Sequence, residues 1–419
     1  MIAGFIRRRE QWVADRPEKA RRIAFISSNS HGWGGSEELW SAAAAELAAD
    51  GHAVAAMKPG LGKGEPRIER LRQLGVRLTD LHRFPFVPDA FVALLARLSW
   101  LLELVVRALR FGFALRWARP DLVVLSQGGN TEGLFYAKRV IRLGTPYILI
   151  AHKVAEMYWP TDEQLEELRT IYAGARRCLF VSEHNLRLHE EQLGMKLANA
   201  EVVRNPFLVP WDKPAPWPSE EGGLRLACVG RLYPREKGQD ILLRVLARDR
   251  WRDRPVSLTF FGAGVHLEGL KATASYLGLA NVTFAGFAPD VEAIWRDHHA
   301  LLLPSHCEGL PLVLVEAMLS GRVAIATDVA GHAEFVQDGA TGFLAAAPTA
   351  DHFDEALERA WKSRSQWREM GKAAATRARE LVPPSPERVL ADRIAAWAGE
   401  GRISADGVAR GTRLAPDPA

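Results

Sequence analysis

Glu308 and Glu316 carry the strongest chemical signal in the chain. They belong to the run Pro304, Ser305, His306, Cys307, Glu308, Gly309, Leu310, Pro311, which continues through an apolar stretch to Met318. Glu308 falls in the loop after a strand, and Pro311 suits the first turn of the next helix. Glu316 sits inside that helix among Leu312, Val313, Leu314, Val315, Ala317, Met318 and Leu319. It either faces solvent or is held inside for a ligand. The apolar neighbours leave it no polar face, and a carboxylate buried without partners is costly. Buried acids of this kind concentrate at functional sites, so we read Glu316 as a ligand-binding carboxylate.

A second group is cationic. Gly230, Arg231, Leu232, Tyr233, Pro234, Arg235, Glu236, Lys237 and Gly238 follow one strand and precede a helix at 239–248. Arginine offers phosphate a fork of donors and lysine a point charge. The N-terminus of the following helix adds backbone donors and positive potential. A diphosphate suits such a loop; a solvated turn is the other reading. The spacing is not that of a P-loop. His152, at the end of a strand at 147–151, reads as a site residue or as a hydrogen-bonded core histidine.

These residues need elements to hold them. Residues 23–26 form a short apolar strand, followed by the turn His31, Gly32, Trp33, Gly34, Gly35. Ser36 reads as the N-cap of a helix that ends near Gly51. Further strands are expected at 53–57, 122–126, 147–151 and 178–182, separated mostly by helical patterns. A proline-rich stretch with Pro206, Pro210, Pro214, Pro216 and Pro218 then reads as a semi-rigid linker. A second alternating series follows, with strands at 224–229, 256–261, 281–285, 300–304 and 323–327. Such alternation predicts an α/β chain of two doubly wound, Rossmann-like domains facing each other across a cleft.

The expected organisation is an N-terminal arm (1–20), a first domain (21–206), the linker (207–223) and a second domain (224–382). A helix at 383–400 would return to the first domain, and a tail (401–419) reads as disordered. At 419 residues, two cores are expected. The formal net charge of +4, with acids and bases interspersed, gives no case for nucleic-acid binding. The three cysteines, Cys178, Cys228 and Cys307, are scattered, which suits a reducing cytoplasm. The start of the chain lacks the charge-then-apolar order of a signal peptide.

The apolar stretch at 86–113 is interrupted by Arg97, Glu103, Arg107 and Arg110, so it does not span a membrane. It reads as an amphipathic helix covering the sheet. The alternative is a helix lying on the inner face of a membrane, with Trp100, Phe111, Phe113 and Trp117 beside Arg97, Arg107, Arg110, Arg116 and Arg119.

The second half resembles the retaining glycosyltransferases of family 4, which have the GT-B fold. The resemblance rests on Gly230, Arg231 and Leu232 with Lys237 and Gly238, then Gly262 and Gly264, Phe284 and Gly286, and the run from Pro304 to Glu316. It continues through Gly331, Glu334, Asp338, Gly339, Gly342, Phe343 and Leu344, covering about residues 224–345. The first half matches more loosely, at Gly34, Gly35, Gly51, His52, Pro120, Asp121, His152, Ser182 and Asn205.

The resemblance implies a nucleotide-diphosphate sugar as donor and a carbohydrate or lipid-linked acceptor. Arg231 and Lys237 would hold the diphosphate, which Gly35 and its helix would approach from the other domain. Glu316 would take the ribose hydroxyls. Glu308 would support positive charge at the anomeric carbon, with Gly309 and Leu310 beside the donor sugar. His152 would contact sugar or acceptor. Val323 stands where proline is common in the family, and Pro206 follows Asn205 where glycine is common.

No Asp-x-Asp occurs, and His306 and Cys307 lack partners with zinc-like spacing, so no metal and no cofactor is expected. Arg231, Lys237 and a helix dipole can neutralise the diphosphate instead. The alternatives are a GT-B epimerase or phosphorylase, or an inactive nucleotide-sugar-binding protein. The Glu308 and Glu316 pair argues against an epimerase, and no clear lysine for pyridoxal phosphate is seen. An inactive site should have lost at least one of its charged residues.

Overall fold

The computed structural model describes residues 20–29, 33–61, 64–81 and 100–400, with the side chains of 100–108 left undescribed. The tail at 401–419, almost all of the arm, residues 82–99 with the first half of the apolar stretch, and His31 and Gly32 lie outside the described residues.

Two parallel sheets organise the chain. The first contains β1 (Arg22–Ser27), β2 (Ala53–Lys58), β3 (Arg77–Asp80), β4 (Leu122–Gly129), β5 (Tyr147–Lys153), β6 (Arg177–Phe180) and β7 (Ala200–Val202). The second contains β8 (Leu224–Val229), β9 (Val256–Phe261), β10 (Val282–Gly286), β11 (Ala300–Leu303), β12 (Val323–Thr327) and β13 (Gly342–Ala345). Their orders are β3-β2-β1-β4-β5-β6-β7 and β10-β9-β8-β11-β12-β13. Strands such as β1, β4 and β12 are apolar because helices cover both faces of each sheet, which leaves a central strand little solvated side. This is the GT-B arrangement, two Rossmann-like domains.

Strand order reverses between β1 and β4, and again between β8 and β11. At such a switch point the loops leaving two adjacent strands diverge and open a crevice at the strands' carboxyl ends. The loops after β8 and β11 carry the cationic group and Glu308. The pairing of β8 with β11 therefore brings these distant segments together.

Several expectations change in detail. Ser36 does not cap its helix. The helix is Gly35–Ala49, and Gly34 occupies the N-cap without a side-chain hydrogen bond. Two consecutive glycines let the chain enter the helix without a side-chain cap. The proline-rich linker is docked along its length on the second domain. Trp211 donates from Nε1 to the Val382 carbonyl at 3.0 Å, and the buried Arg322 donates to the Pro216 carbonyl. The helix Pro386–Gly399 packs on Gly35–Ala49 in the first domain, burying Leu390, Ile394 and Trp397. Arg388 pairs there with Asp50 at 2.7 Å.

In the helix Trp100–Ala118, Phe111 is core, edge-on to Tyr136 at 4.9 Å, and the Arg77 guanidinium covers Trp117 at 3.8 Å. The outward stripe is Leu109, Phe113 and Arg116, with Leu109 62% and Phe113 68% exposed. Among the described residues no helix is long and apolar enough to cross a membrane.

Candidate active site

Lys237 and Glu308 meet at 2.5 Å between Nζ and Oε1. Two features of the backbone bring them together. Lys237 ends the short helix Pro234–Lys237, and Gly238 follows with φ of 63°. A β-carbon on Gly238 would lie 2.1 Å from the Pro304 carbonyl oxygen, so only glycine lets this loop press against the segment that leads to Glu308. Ser305 then donates its hydroxyl to Glu308 Oε1 at 2.8 Å, fixing the carboxylate beside the ammonium. Both acidic oxygens of neighbouring Glu236 are also engaged, with Arg231 at 2.9 Å and Lys153 at 2.8 Å.

Glu316 is buried in the helix Leu312–Leu319. Its Oε1 accepts a hydrogen bond from the Leu208 backbone N–H in the linker at 3.0 Å. Burial pushes its carboxyl up to about 7; the Leu208 hydrogen bond opposes this and nearby Glu38 adds to it. An acid in this state gains from hydroxyl donors, because donors favour the charged form.

The first domain meets this surface closely. A β-carbon on Gly309 would fall 1.7 Å from the His152 carbonyl oxygen, and one on Gly35 would fall 3.1 Å from Leu312 Cδ1. The start of the Gly35–Ala49 helix thus abuts the start of the Glu316 helix. His152 is buried, with Nε2 3.2 Å from Ser126 Oγ and no hydrogen-bond partner at Nδ1. Burial pushes its imidazole down to about 4, with Asn205 opposing, so the ring is neutral at neutral pH. Asn205 also donates to the Leu310 carbonyl at 3.0 Å, and Glu334 bridges the His184 backbone N–H at 2.9 Å and Arg204 at 3.2 Å.

The structure therefore gathers Arg231, Lys237, Glu308, Gly309, Glu316, Gly35 and His152 along one interdomain surface. Leu310 differs in kind. Its side chain is buried in the hydrophobic core, and its backbone carbonyl accepts from Asn205. Sequence reasoning passed over Lys153, Glu236, Ser305 and His332. Glu236 and Ser305 lie inside motifs already singled out, but nothing local marks their partners. His332 is buried, donates from Nδ1 to the Thr327 carbonyl at 2.7 Å, and feels the charges of Glu308 and Lys237. Among the described residues no group of three His, Cys, Asp or Glu side chains is arranged to hold a metal ion.

Residues 223–363 match the family of glycosyl transferases group 1, and residues 34–206 match the glycosyl transferase 4-like domain. The Mycobacterium tuberculosis H37Rv GDP-mannose-dependent alpha-(1-6)-phosphatidylinositol monomannoside mannosyltransferase is 31% identical over 281 residues, 61% of this chain and 71% of that protein. The chain belongs to the group 1 glycosyl transferases. The Mycolicibacterium smegmatis protein of the same description is 31% identical over 212 residues, 45% of this chain, and the chain spans 54% of its length. Among solved structures, Anabaena HepE in complex with UDP and glucose superposes with a TM-score of 0.71 at 17% identity, covering 90% of this chain and 99% of that one. At that identity the likeness is one of fold, two Rossmann-like domains over nearly the whole of both chains.

Proposed function

We propose that the protein is a retaining, metal-independent hexosyltransferase of family 4 that uses a nucleotide-diphosphate sugar. The observation that carries this reading is the Lys237–Glu308 pair at the switch point, with Arg231 and buried Glu316 alongside and the first domain pressed against Gly309. A diphosphate would take Lys237 and Arg231 as counter-charges, aided by the N-terminus of the Gly35–Ala49 helix. The ribose hydroxyls would donate to Glu316.

In the transfer step the bond from the anomeric carbon to the diphosphate oxygen breaks, and the acceptor oxygen bonds that carbon from the same face. The acceptor proton passes to the departing phosphate oxygen, so no covalent enzyme intermediate forms. Glu308 stabilises positive charge on the sugar during the step. Neutral His152 accepts or donates a hydrogen bond without adding charge. The departing diphosphate is neutralised by Lys237 and Arg231, so the step calls for no divalent ion.

The relatives' descriptions make GDP-mannose the first donor to try, with UDP-sugars second, and inositol-containing or lipid-linked acceptors the first acceptors. Transfer is tested with this panel in a chelator, reading product anomers by proton NMR. A product with the donor's anomeric configuration supports the reading. Inversion, or activity restored only by magnesium or manganese, defeats it.

A membrane-presented acceptor is a second reading, favoured by the exposed stripe of Leu109, Phe113 and Arg116. Sedimentation with anionic liposomes tests it. Pelleting that Phe113→Glu with Arg116→Glu abolishes supports it, and wild type remaining in the supernatant with every lipid composition defeats it.

A further inference from the structure

One carboxylate in the site serves two masters. Glu236 Oε1 lies 2.8 Å from Lys153 Nζ, and Glu236 Oε2 lies 2.9 Å from Arg231 Nη2. Lys153 is the last residue of β5, next to His152 in the first domain. Glu236 and Arg231 belong to the phosphate loop of the second domain. The carboxylate therefore joins a cation of each domain. It is itself buried, and its backbone carbonyl accepts from the His306 N–H at 2.8 Å, which roots it between the phosphate loop and the Glu308 loop. Burial alone would push the Glu236 carboxyl up. The hydrogen bond and charge of Lys153, with Arg231 and Lys237 behind it, outweigh that and hold it low.

Lys153, Arg231 and Lys237 thus meet Glu236 and Glu308 and are all paired. A diphosphate has to compete with Glu236 for Arg231. How strongly Glu236 holds Arg231 depends on whether its charge is shared with Lys153. The Lys153–Glu236 pair is largely buried and so poorly screened, whereas Arg231 is half exposed and open to a diphosphate, so the sharing has measurable weight.

We propose that Lys153 and Glu236 form an interdomain latch that sets how readily Arg231 is released to the donor diphosphate. Glu236 is a positioning residue, and Lys153 governs its hold. The proposal rests on the reading of Arg231 as a diphosphate ligand. Removing Lys153 leaves Glu236 to bind Arg231 more firmly, which weakens donor binding. Removing the Glu236 charge frees Arg231 and takes a negative charge away from the diphosphate, which strengthens donor binding. It also unties the domains, so turnover falls even as the donor binds better.

The test is a double-mutant cycle on Lys153→Met and Glu236→Gln, with Lys153→Arg as the conservative variant. Calorimetry gives the Kd for an intact nucleotide sugar, and small-angle scattering gives the radius of gyration of the empty protein. Lys153→Met is expected to weaken donor binding ~5- to 10-fold, and Glu236→Gln to strengthen it ~3-fold, within the range of coupling between contacting residues. In the Glu236→Gln background, Lys153→Met changes Kd less than ~2-fold, because the partner it acts through is gone. Lys153→Arg stays near wild type, and both charge-removing single variants expand the empty protein. Normal donor binding by wild type, with effects that add or share one sign, overturns the latch alone. Expansion in the variants, with no nucleotide sugar bound by any form, overturns the diphosphate reading and with it the control of Arg231.

Discussion

Glu308 and Glu316 are both carboxylates of one loop and helix, yet their surroundings divide their work. Glu308 is paired with Lys237 and Ser305, which hold its side chain in place. Glu316 is buried with a single backbone donor. Glu316→Gln should therefore raise the donor KM most, because it weakens ground-state recognition of the ribose. Glu308→Gln should chiefly lower kcat, because its charge is needed as the transition state forms. Steady-state kinetics on the two variants checks this, and the reversed pattern would exchange their roles.

The Glu316 carboxyl also predicts a pH dependence. Its value near 7 means that a proton is taken up as the pH falls through neutrality. Ribose hydroxyls donate to the charged form, so donor binding releases that proton. Affinity for an intact nucleotide sugar is then full above pH 7 and falls below it, by at most ~10-fold per pH unit. Calorimetry at pH 8 and pH 6 measures the loss, and Glu316→Gln should abolish most of it. Wild-type affinity that does not vary over this interval would contradict a ribose role for Glu316.

At this scale the four charged residues were legible because each belongs to a short motif with its own strand or helix. Lys153 was not, because its meaning comes from Glu236, a residue of the other domain. No periodicity or spacing encodes a pairing that only the closed arrangement of two domains creates.

Among the elements, the loop of Glu308 and Gly309 is the most constrained. Its glycine faces the His152 carbonyl across the domain boundary with no room for a β-carbon. Gly309→Ala must push the two domains apart or displace the Glu308 loop. A shift of about 1 Å at reacting groups costs on the order of 100-fold in rate, so kcat/KM should fall by about that much. Activity within ~3-fold of wild type, well short of such a loss, would show that the His152 approach is not used in catalysis.

Alternating strands and helices were readable because buried parallel strands are short apolar runs between turn residues. The edge strands β3, β7 and β13 were missed, since each is only three or four residues long and β3 and β7 are partly exposed. The N-cap at Gly34 was missed because serine is the better capper in general, and local preference yielded to a glycine pair that brings Gly35 close to Leu312. The linker looked semi-rigid from its prolines. Its docking depends on Arg322, whose guanidinium is buried and donates to carbonyls at Trp295, His298, Ser320 and Pro216. That set of acceptors is assembled only by the fold.

For the whole molecule, the two domains face each other through the loops at their switch points, and the helix Pro386–Gly399 ties the end of the second domain back onto the first. On the proposed function, this arrangement makes a cationic diphosphate site between them that requires no divalent ion. Titration calorimetry with GDP, UDP and ADP in excess chelator addresses it without knowledge of the acceptor. Wild type should bind at least one of these nucleotides, and Arg231→Ala combined with Lys237→Ala should weaken that binding at least ~100-fold, the loss expected when two charge-assisted phosphate contacts of about 1.5–3 kcal/mol each are removed. Wild type that binds none of the three until magnesium or manganese is added, or a double variant that binds as tightly as wild type, would contradict the account.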